Sequence, residues 1–213
     1  MIKEETICPL CLGGDTRHYH RDRRSYRQCR RCDLVYVPAA FHLDAVAEKR
    51  RYDQHRNNPQ DPAYRAFLSR LMIPLLERLP PGAQGLDYGS GPGPTLSLML
   101  AERGHAMNIY DAFYAPHEAA LARRYDFLTC SETMEHFAAP GREWRRFLSL
   151  VRAGGWIGIM TQLREAKQDF AAWYYKNDDT HVCFYSRATF EFLARRHDLK
   201  LYFEEASVIL LRR

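Results

Sequence analysis

Residues 86–93 read Leu86-Asp87-Tyr88-Gly89-Ser90-Gly91-Pro92-Gly93, and the fold is decided there. An apolar approach through Gly85 and Leu86 reaches a carboxylate, then three glycines, then an amphipathic run from Thr95 to Leu100 that continues to Arg103. The order is strand, tight turn, helix. Glycine at 89 and 91 lets the main chain take positive φ and lets a ligand rest on the backbone without meeting a Cβ. The pattern G-x-G-x-G, interrupted by Pro92, departs from the G-x-G-x-x-G of dinucleotide loops, where a helix N-terminus faces a pyrophosphate. A carboxylate two residues before the first glycine repels a pyrophosphate and suits a cationic ligand. Taken alone, the loop also fits a glycine turn with no ligand.

Gly104 stops the helix, and Ala106 to Tyr110 form a second short strand ending at Asp111. That acid stands about twenty residues past the glycines, where a carboxylate can take the ribose hydroxyls of a nucleoside. The string D-Y-G-S-G-P-G resembles the first motif of class I S-adenosylmethionine (SAM) methyltransferases. The resemblance implies an α/β fold with a Rossmann-like sheet. It also implies a cofactor held by Asp87, Tyr88, Gly89, Gly91, Gly93, Asp111 and Ser131, with the first acid facing the charged methionine end. Only residues 112–124 separate Asp111 from the next strand, Tyr125 to Thr129. A right-handed crossover alone takes about a dozen residues, so the third strand of that sheet is missing or vestigial. The adenine contacts that follow it in the family are left without an assignment.

The strand Tyr125 to Thr129 runs into Cys130-Ser131-Glu132-Thr133-Met134-Glu135-His136. Strand ends of this kind face the ligand in open α/β sheets. Glu132, Glu135 and His136 are expected to begin the next helix on a shared face. The string resembles the E-x-x-E-H of ubiquinone-pathway O-methyltransferases and of small-RNA terminal 2′-O-methyltransferases. Some members hold a divalent metal there, completed by a later histidine, and others carry the string without metal. Residues 173–190, WYYKNDDTHVCFYSRATF, resemble the T-H-(V/I)-x-F-(Y/F)-S segment of a subgroup of small class I enzymes. The resemblance makes His181 the fourth ligand of Mg²⁺ or Mn²⁺ beside Glu132, Glu135 and His136, or the base where no metal binds. The clustered rings of the segment read as a substrate wall, because they would otherwise be exposed. Taken singly, these Glu and His residues also fit a solvated helix surface. Ser186 reads as the N-cap of a helix over 188–196. Residues 199–203 and 207–211 read as an apolar hairpin, the antiparallel edge of the sheet.

Ahead of the glycine loop, Cys8, Cys11, Cys29 and Cys32 give C-x2-C-x17-C-x2-C, the spacing of a four-thiolate structural zinc site. A hairpin carrying Tyr19 and Tyr26 and a strand over 34–37 would complete a ribbon too small to fold without its metal. The expected organisation is a zinc-ribbon-like module over 1–38, a helical lid or linker over 39–80, and a SAM-dependent methyltransferase domain over 81–213. In the middle part Tyr52, His55, Asn57 and Tyr64 group as lid residues. Arg17, Arg21, Arg23, Arg24, Arg27, Arg30 and Arg31 make the ribbon basic. They fit either a solvated face around an anionic zinc–thiolate centre, which is favoured, or a grip on RNA phosphates.

With 213 residues the chain has room for one α/β domain and a small module. Four thiolates around one Zn²⁺ carry a net −2, which lowers the formal charge of +5 to +3, too little to indicate nucleic acid. The absence of a signal peptide and of an apolar span predicts a soluble cytoplasmic protein with no membrane partner. The expected activity is methyl transfer from SAM to a small molecule, with a hydroxyl as leading acceptor. The alternatives are an RNA methyltransferase that grips through the ribbon, and a non-catalytic binding protein with a methyltransferase-like core. The oligomeric state is not readable.

Overall fold

In a computed structural model of the chain, residues 6–54 and 57–213 are described. The cysteine segment forms strands β1 (Thr16–Arg21), β2 (Ser25–Cys29) and β3 (Val35–Tyr36), paired antiparallel in that order. Its two cysteine turns close alike: the amide of Leu12 donates to Cys8 at 3.0 Å and that of Asp33 to Cys29 at 2.9 Å. Leu12 and Asp33 take left-handed φ of 59° and 61° to do so. Two helices follow, α1 (Ala45–Tyr52) and α2 (Pro62–Leu76). Asp44 caps α1 by accepting from the amides of Val46 and Ala47, and Asp61 caps α2, whose first residue is a proline with no amide to satisfy.

The glycine-loop unit appears as read. Strand β4 (Gln84–Tyr88) leads to α3 (Thr95–Ala101) and β5 (Ala106–Tyr110), and a crossover through the short α4 (Glu118–Leu121) reaches β6 (Tyr125–Ser131). Helix α5 (Pro140–Leu150) and strand β7 (Val151–Met160) complete the parallel part. Then come β8 (Cys183–Phe184), α6 (Arg187–His197), β9 (Lys200–Glu205) and β10 (Val208–Arg212). The large sheet runs β5-β4-β6-β7-β10-β9, parallel as far as β7 and antiparallel beyond. Among the described residues no strand lies outside β5, so the third strand is absent. Ser186 caps α6 with a reciprocal capping box to Thr189.

Alternation along the strands divides the core in two. Val208 and Leu210 pack with Leu68, Leu71, Met72 and Leu75 of α2 and with Leu96, Met99 and Leu100 of α3. Ile209 and Leu211 face the other side, with Trp144, Phe147 and Leu150 of α5 and Phe190 and Leu193 of α6. Each fully buried side chain of this kind stabilises the fold by about 1.5–3 kcal/mol. The second core does not stop at the sheet, because it continues through Phe184 and Phe170 into Tyr26, Leu34, Val35 and Tyr36 of the cysteine segment. Strand β8 pairs with β3 and thereby adds a fourth strand to the small sheet. None of the described helices is long and apolar enough to cross a membrane.

Two local expectations are corrected. Glu132, Glu135 and His136 do not begin a helix: Glu132 has φ 46° and Thr133 φ −138°, neither helical, and Met134–His136 is a single 3-10 turn. Helix α5 starts only at Pro140. The rings of residues 173–190 do not wall a substrate cavity, since Trp173, Tyr175, Phe184, Tyr185 and Phe190 are buried in the core. Phe184 and Trp173 pack with Phe170, which meets Tyr19 and Tyr26 of the small sheet edge to face.

Candidate active site

The carboxyl ends of β4, β5 and β6 open into a cavity of about 560 Å³. One side is the glycine loop. Gly89 has φ +79°, and a Cβ there would lie 2.2 Å from the Thr133 methyl. At Gly93 a Cβ would lie 2.0 Å from the Asn57 carbonyl, so the segment leading into α2 and the loop touch backbone to backbone. Asp87 is buried and accepts from the Thr129 hydroxyl at 2.7 Å. Burial pushes its carboxyl up to about 6, with the charge of Asp111 adding and the Thr129 bond opposing. Asp111 accepts from the amides of Gly91 (2.9 Å), Phe113 (2.8 Å) and Tyr114 (3.0 Å). A carboxylate has about four acceptor sites, so Asp111 braces the loop and keeps capacity for one more donor. The Ser90 hydroxyl, a cavity residue, is buried without a hydrogen-bond partner. An orphaned buried hydroxyl beside a side-chain-free cradle and two acids fits a cationic nucleoside such as SAM.

The opposite wall carries the acid and histidine residues. Glu135 is fully buried and accepts from the Tyr175 hydroxyl at 2.6 Å and the Thr161 hydroxyl at 2.9 Å. His181 donates from Nδ1 to the Tyr175 carbonyl at 2.7 Å, which leaves Nε2 as the basic nitrogen of the neutral ring. Burial and the neighbouring His136 hold that imidazole below its ordinary range, against the pull of Glu135 and Asp178. The Nδ1 of His136 lies 3.1 Å from the Thr180 carbonyl, and the two imidazole rings stand edge to face at 4.8 Å. Ligand atoms of Glu135, His136 and His181 all lie within 4.8 Å of one another. Glu132 and Ser131 line the same cavity, but Glu132 is outside that group. Burial, then the charge of Glu135, push the Glu132 carboxyl above its ordinary range, against the pull of Arg70, and favour its protonated form.

Glu48 and Tyr52 of α1, with Asn57 and Tyr64, close the cavity from above. Helix α1 is tied down by Arg51 on Asp178 at 2.8 Å and by Asp53 accepting from the Tyr114 hydroxyl at 2.7 Å. His55, grouped with these residues in the sequence, lies outside the described residues. Beyond Asp111 the cavity extends to Tyr110, Phe113, Phe137, Arg142, Glu143 and Arg146. Glu143 is buried there, bonded by the Tyr88 hydroxyl and by Arg142 and Arg146 at 3.0 Å each. No motif announced this group, nor Thr129 or Thr161, and Ser90 and Tyr175 stand inside quoted motifs that gave them no role. They are ordinary residues made special by position.

The four cysteines are all free thiols and all buried. Cys8 and Cys32 approach to 3.5 Å between sulfurs, as do Cys11 and Cys29, and all four sulfurs lie within 4.8 Å of one another. A disulfide needs about 2.05 Å. A tetrahedron with Zn–S bonds of about 2.3 Å has edges of roughly 3.8 Å, and the two 3.5 Å separations lie near that length.

A sequence family described as "Methyltransferase domain" matches residues 55–202, more than half of the chain. The chain belongs to the methyltransferase-domain family. Its sheet has the class I, SAM-dependent form. The methyltransferase is 34% identical over 83 residues to the ubiquinone biosynthesis O-methyltransferase of Cronobacter sakazakii, across 39% of this chain and 34% of that one. The corresponding protein of Serratia proteamaculans is 34% identical over 88 residues, across 40% and 36%. The match thus spans about a third of the length of these curated relatives. Among solved structures, the fold is similar to a Burkholderia thailandensis 1,6-didemethyltoxoflavin-N1-methyltransferase with bound S-adenosylhomocysteine (SAH). The TM-score is 0.55 at 18% identity, covering 92% of this chain and 98% of that one.

Proposed function

We propose that this methyltransferase moves the methyl group of SAM to a hydroxyl of a small molecule. The observation that carries the reading is one cavity in which the acids of the glycine-loop side, Asp87 and Asp111, face a buried Glu135–His181 wall. Bound SAM supplies a sulfonium, whose methyl is transferred as its bond to sulfur breaks and SAH leaves. The protein's work is alignment and removal of the acceptor proton. In this reading Asp87 faces the cationic end, Gly89, Gly91 and Gly93 cradle the backbone side, and Asp111 takes a ribose hydroxyl. Tyr88, Ser131 and the Tyr110–Phe113–Phe137 corner line the rest, the corner standing where a third strand would have brought the adenine contacts.

His181 takes the acceptor's proton on Nε2, Glu135 stabilises the imidazolium that forms, and Glu132 donates a hydrogen bond into the site. His136 packs against His181 and keeps it in place. The name of the curated relatives favours oxygen over nitrogen as the acceptor atom. Residues 39–80 act as the lid, the thiolate segment over 1–38 as a structural zinc module, and 81–213 as the catalytic domain. Two imidazoles and a carboxylate in one group support a second reading, a divalent cation on Glu135, His136 and His181 that would lower the hydroxyl's pKa. Mn²⁺ titration followed by electron paramagnetic resonance separates the two, because only the second predicts stoichiometric binding lost in His181→Ala.

The test of the main reading is calorimetry with SAM and SAH, followed by mass detection of a 14-dalton gain in a panel of catechols and phenols. No cofactor binding at high micromolar concentration would end it. Two further outcomes are expected. Only ionised Asp87 attracts the cation, and its carboxyl sits near 6, so the SAM affinity should be flat above pH 7 and fall up to about tenfold per pH unit below 6. Calorimetry across pH 5–8 checks this, and an affinity that rises on acidification would oppose the role of Asp87. Metal analysis of the purified chain should find one zinc per molecule, and Cys29→Ser should lose it together with much of the stability.

A further inference from the structure

The turn between β1 and β2 carries Asp22, Arg23 and Arg24, and it reaches across to the catalytic half of the chain. Arg24 was counted above among the basic residues of a solvated ribbon face. It is instead 5% exposed. We propose that Arg24 is a positioning residue for the methyl acceptor side: its guanidinium gathers four main-chain carbonyls of residues 176–181 and thereby fixes where His181 stands. The inference rests on the reading of His181 as the acceptor-side base.

The contacts are specific. Nη2 donates to the carbonyls of Lys176 at 2.6 Å and Asp178 at 3.1 Å, and Nη1 to those of Asp179 at 2.8 Å and His181 at 3.2 Å. Nε and Nη2 also reach the Tyr26 hydroxyl at 3.3 Å. Four carbonyl oxygens turned toward one point repel each other, and a buried backbone curl of this shape is unfavourable unless a cation with several donors fills it. A guanidinium, with five N–H groups in a fixed fork, is the side chain that fits. The surrounding pairs act in the same direction: Lys176 meets Asp22 at 2.6 Å and Arg23 meets Asp179 at 2.8 Å.

From that curl two short paths lead to the chemistry. His181 hangs from it through its own carbonyl on Arg24 and through its amide, which donates to the Asp178 carbonyl at 3.2 Å. The next amide, that of Val182, donates to the Glu135 carbonyl at 2.8 Å. Immediately afterwards β8 joins the small sheet. The segment that carries His181 is thus held on one side by the cysteine module and on the other by Glu135. The glycine loop and Asp111 lie on different elements, and the curl reaches the cofactor side through the Asp178 side chain on Arg51 of α1, whereas Arg24 holds the Asp178 carbonyl.

The test compares the unaltered protein with Arg24→Met, Arg24→Lys and, as a control from the same module, Arg30→Gln, which removes an exposed ion pair to Asp15 and leaves the 176–181 contacts in place. Hydrogen–deuterium exchange is read by mass spectrometry over 174–184 and over 84–96, SAH affinity by calorimetry, and kcat and KM with an acceptor found in the panel. Arg24→Met should speed exchange over 174–184 by about tenfold or more, as expected for the loss of even one charge-assisted bond, and lower kcat by at least as much. Exchange over 84–96, the SAH affinity and the KM for SAM should stay within about twofold of the unaltered protein. Arg24→Lys should restore part of both losses, and Arg30→Gln should behave as the unaltered protein. Unchanged exchange over 174–184, or faster exchange everywhere with weakened SAH binding, overturns the proposal, as does a faster-exchanging loop with unchanged kcat. If Arg24→Met does not fold, Arg24→Lys against Arg30→Gln carries the same comparison. If the unaltered protein binds SAH and methylates no acceptor, the hydroxyl reading fails by itself, and the exchange arm still decides whether Arg24 holds the loop.

Discussion

Replacing Asp111 with alanine is expected to weaken SAH binding by about 100-fold. One charge-assisted bond to a ribose hydroxyl accounts for a factor of roughly ten or more. The remainder comes from the protein itself, because the same carboxylate holds the amides of Gly91, Phe113 and Tyr114. Without it three amides beside the cavity lose their acceptor, and the loop that must lie flat against the cofactor is free to open. Calorimetry measures the effect directly. Heat capacity and far-ultraviolet circular dichroism should show the fold intact, since Asp111 stands at the end of an edge strand and outside both hydrophobic cores. An affinity within threefold of the unaltered protein would mean that the acid at the end of β5 does not touch the ligand, and the nucleoside assignment of this cavity would go with it.

His181→Ala should lower the methylation rate by about 10²–10⁴, the range for loss of a positioned general base, while leaving SAH affinity within about twofold. The geometry makes the separation sharp. His181 is oriented by the Tyr175 carbonyl and faces Glu135, and neither belongs to the glycine-loop side. Tyr175→Phe provides a graded companion: it removes the hydroxyl that bonds Glu135 at 2.6 Å but keeps the ring that packs on His181 at 4.2 Å. Its rate loss should be smaller than that of His181→Ala. Equal losses in rate and in SAH affinity for His181→Ala would point to general loosening of the cavity and against a role in proton removal.

Local patterns were readable where one short stretch settles its own conformation. The glycine loop, the cap Ser186 and the antiparallel hairpin at 200–212 all depend on neighbours in sequence. The missing third strand was readable from length, because residues 112–124 cannot hold a strand and a return helix. The E-x-x-E-H string misled in its local form. Its spacing matches a helix face, yet Glu132 sits in the left-handed region where β6 ends, and a 3-10 turn brings Glu135 and His136 forward instead. The aromatic run at 173–190 misled in its environment. Ring density alone does not distinguish a wall facing substrate from a wall facing another part of the protein.

What the sequence determined by itself was an α/β sheet without a third strand beyond β5, a glycine loop flanked by two acids about twenty residues apart, and four cysteines in two C-x2-C pairs. These follow from intervals along the chain, which fix what a strand, turn or knuckle can reach. Only the tertiary structure decided that the cysteine module and the catalytic half share one core, that Arg24 is buried under the His181 segment, and that Glu143 with Arg142 and Arg146 closes the corner beyond Asp111. The physical reason is distance in sequence. Arg24 and the carbonyls it gathers stand more than 150 residues apart, and no local propensity encodes a contact that only the packing of two sheets brings together.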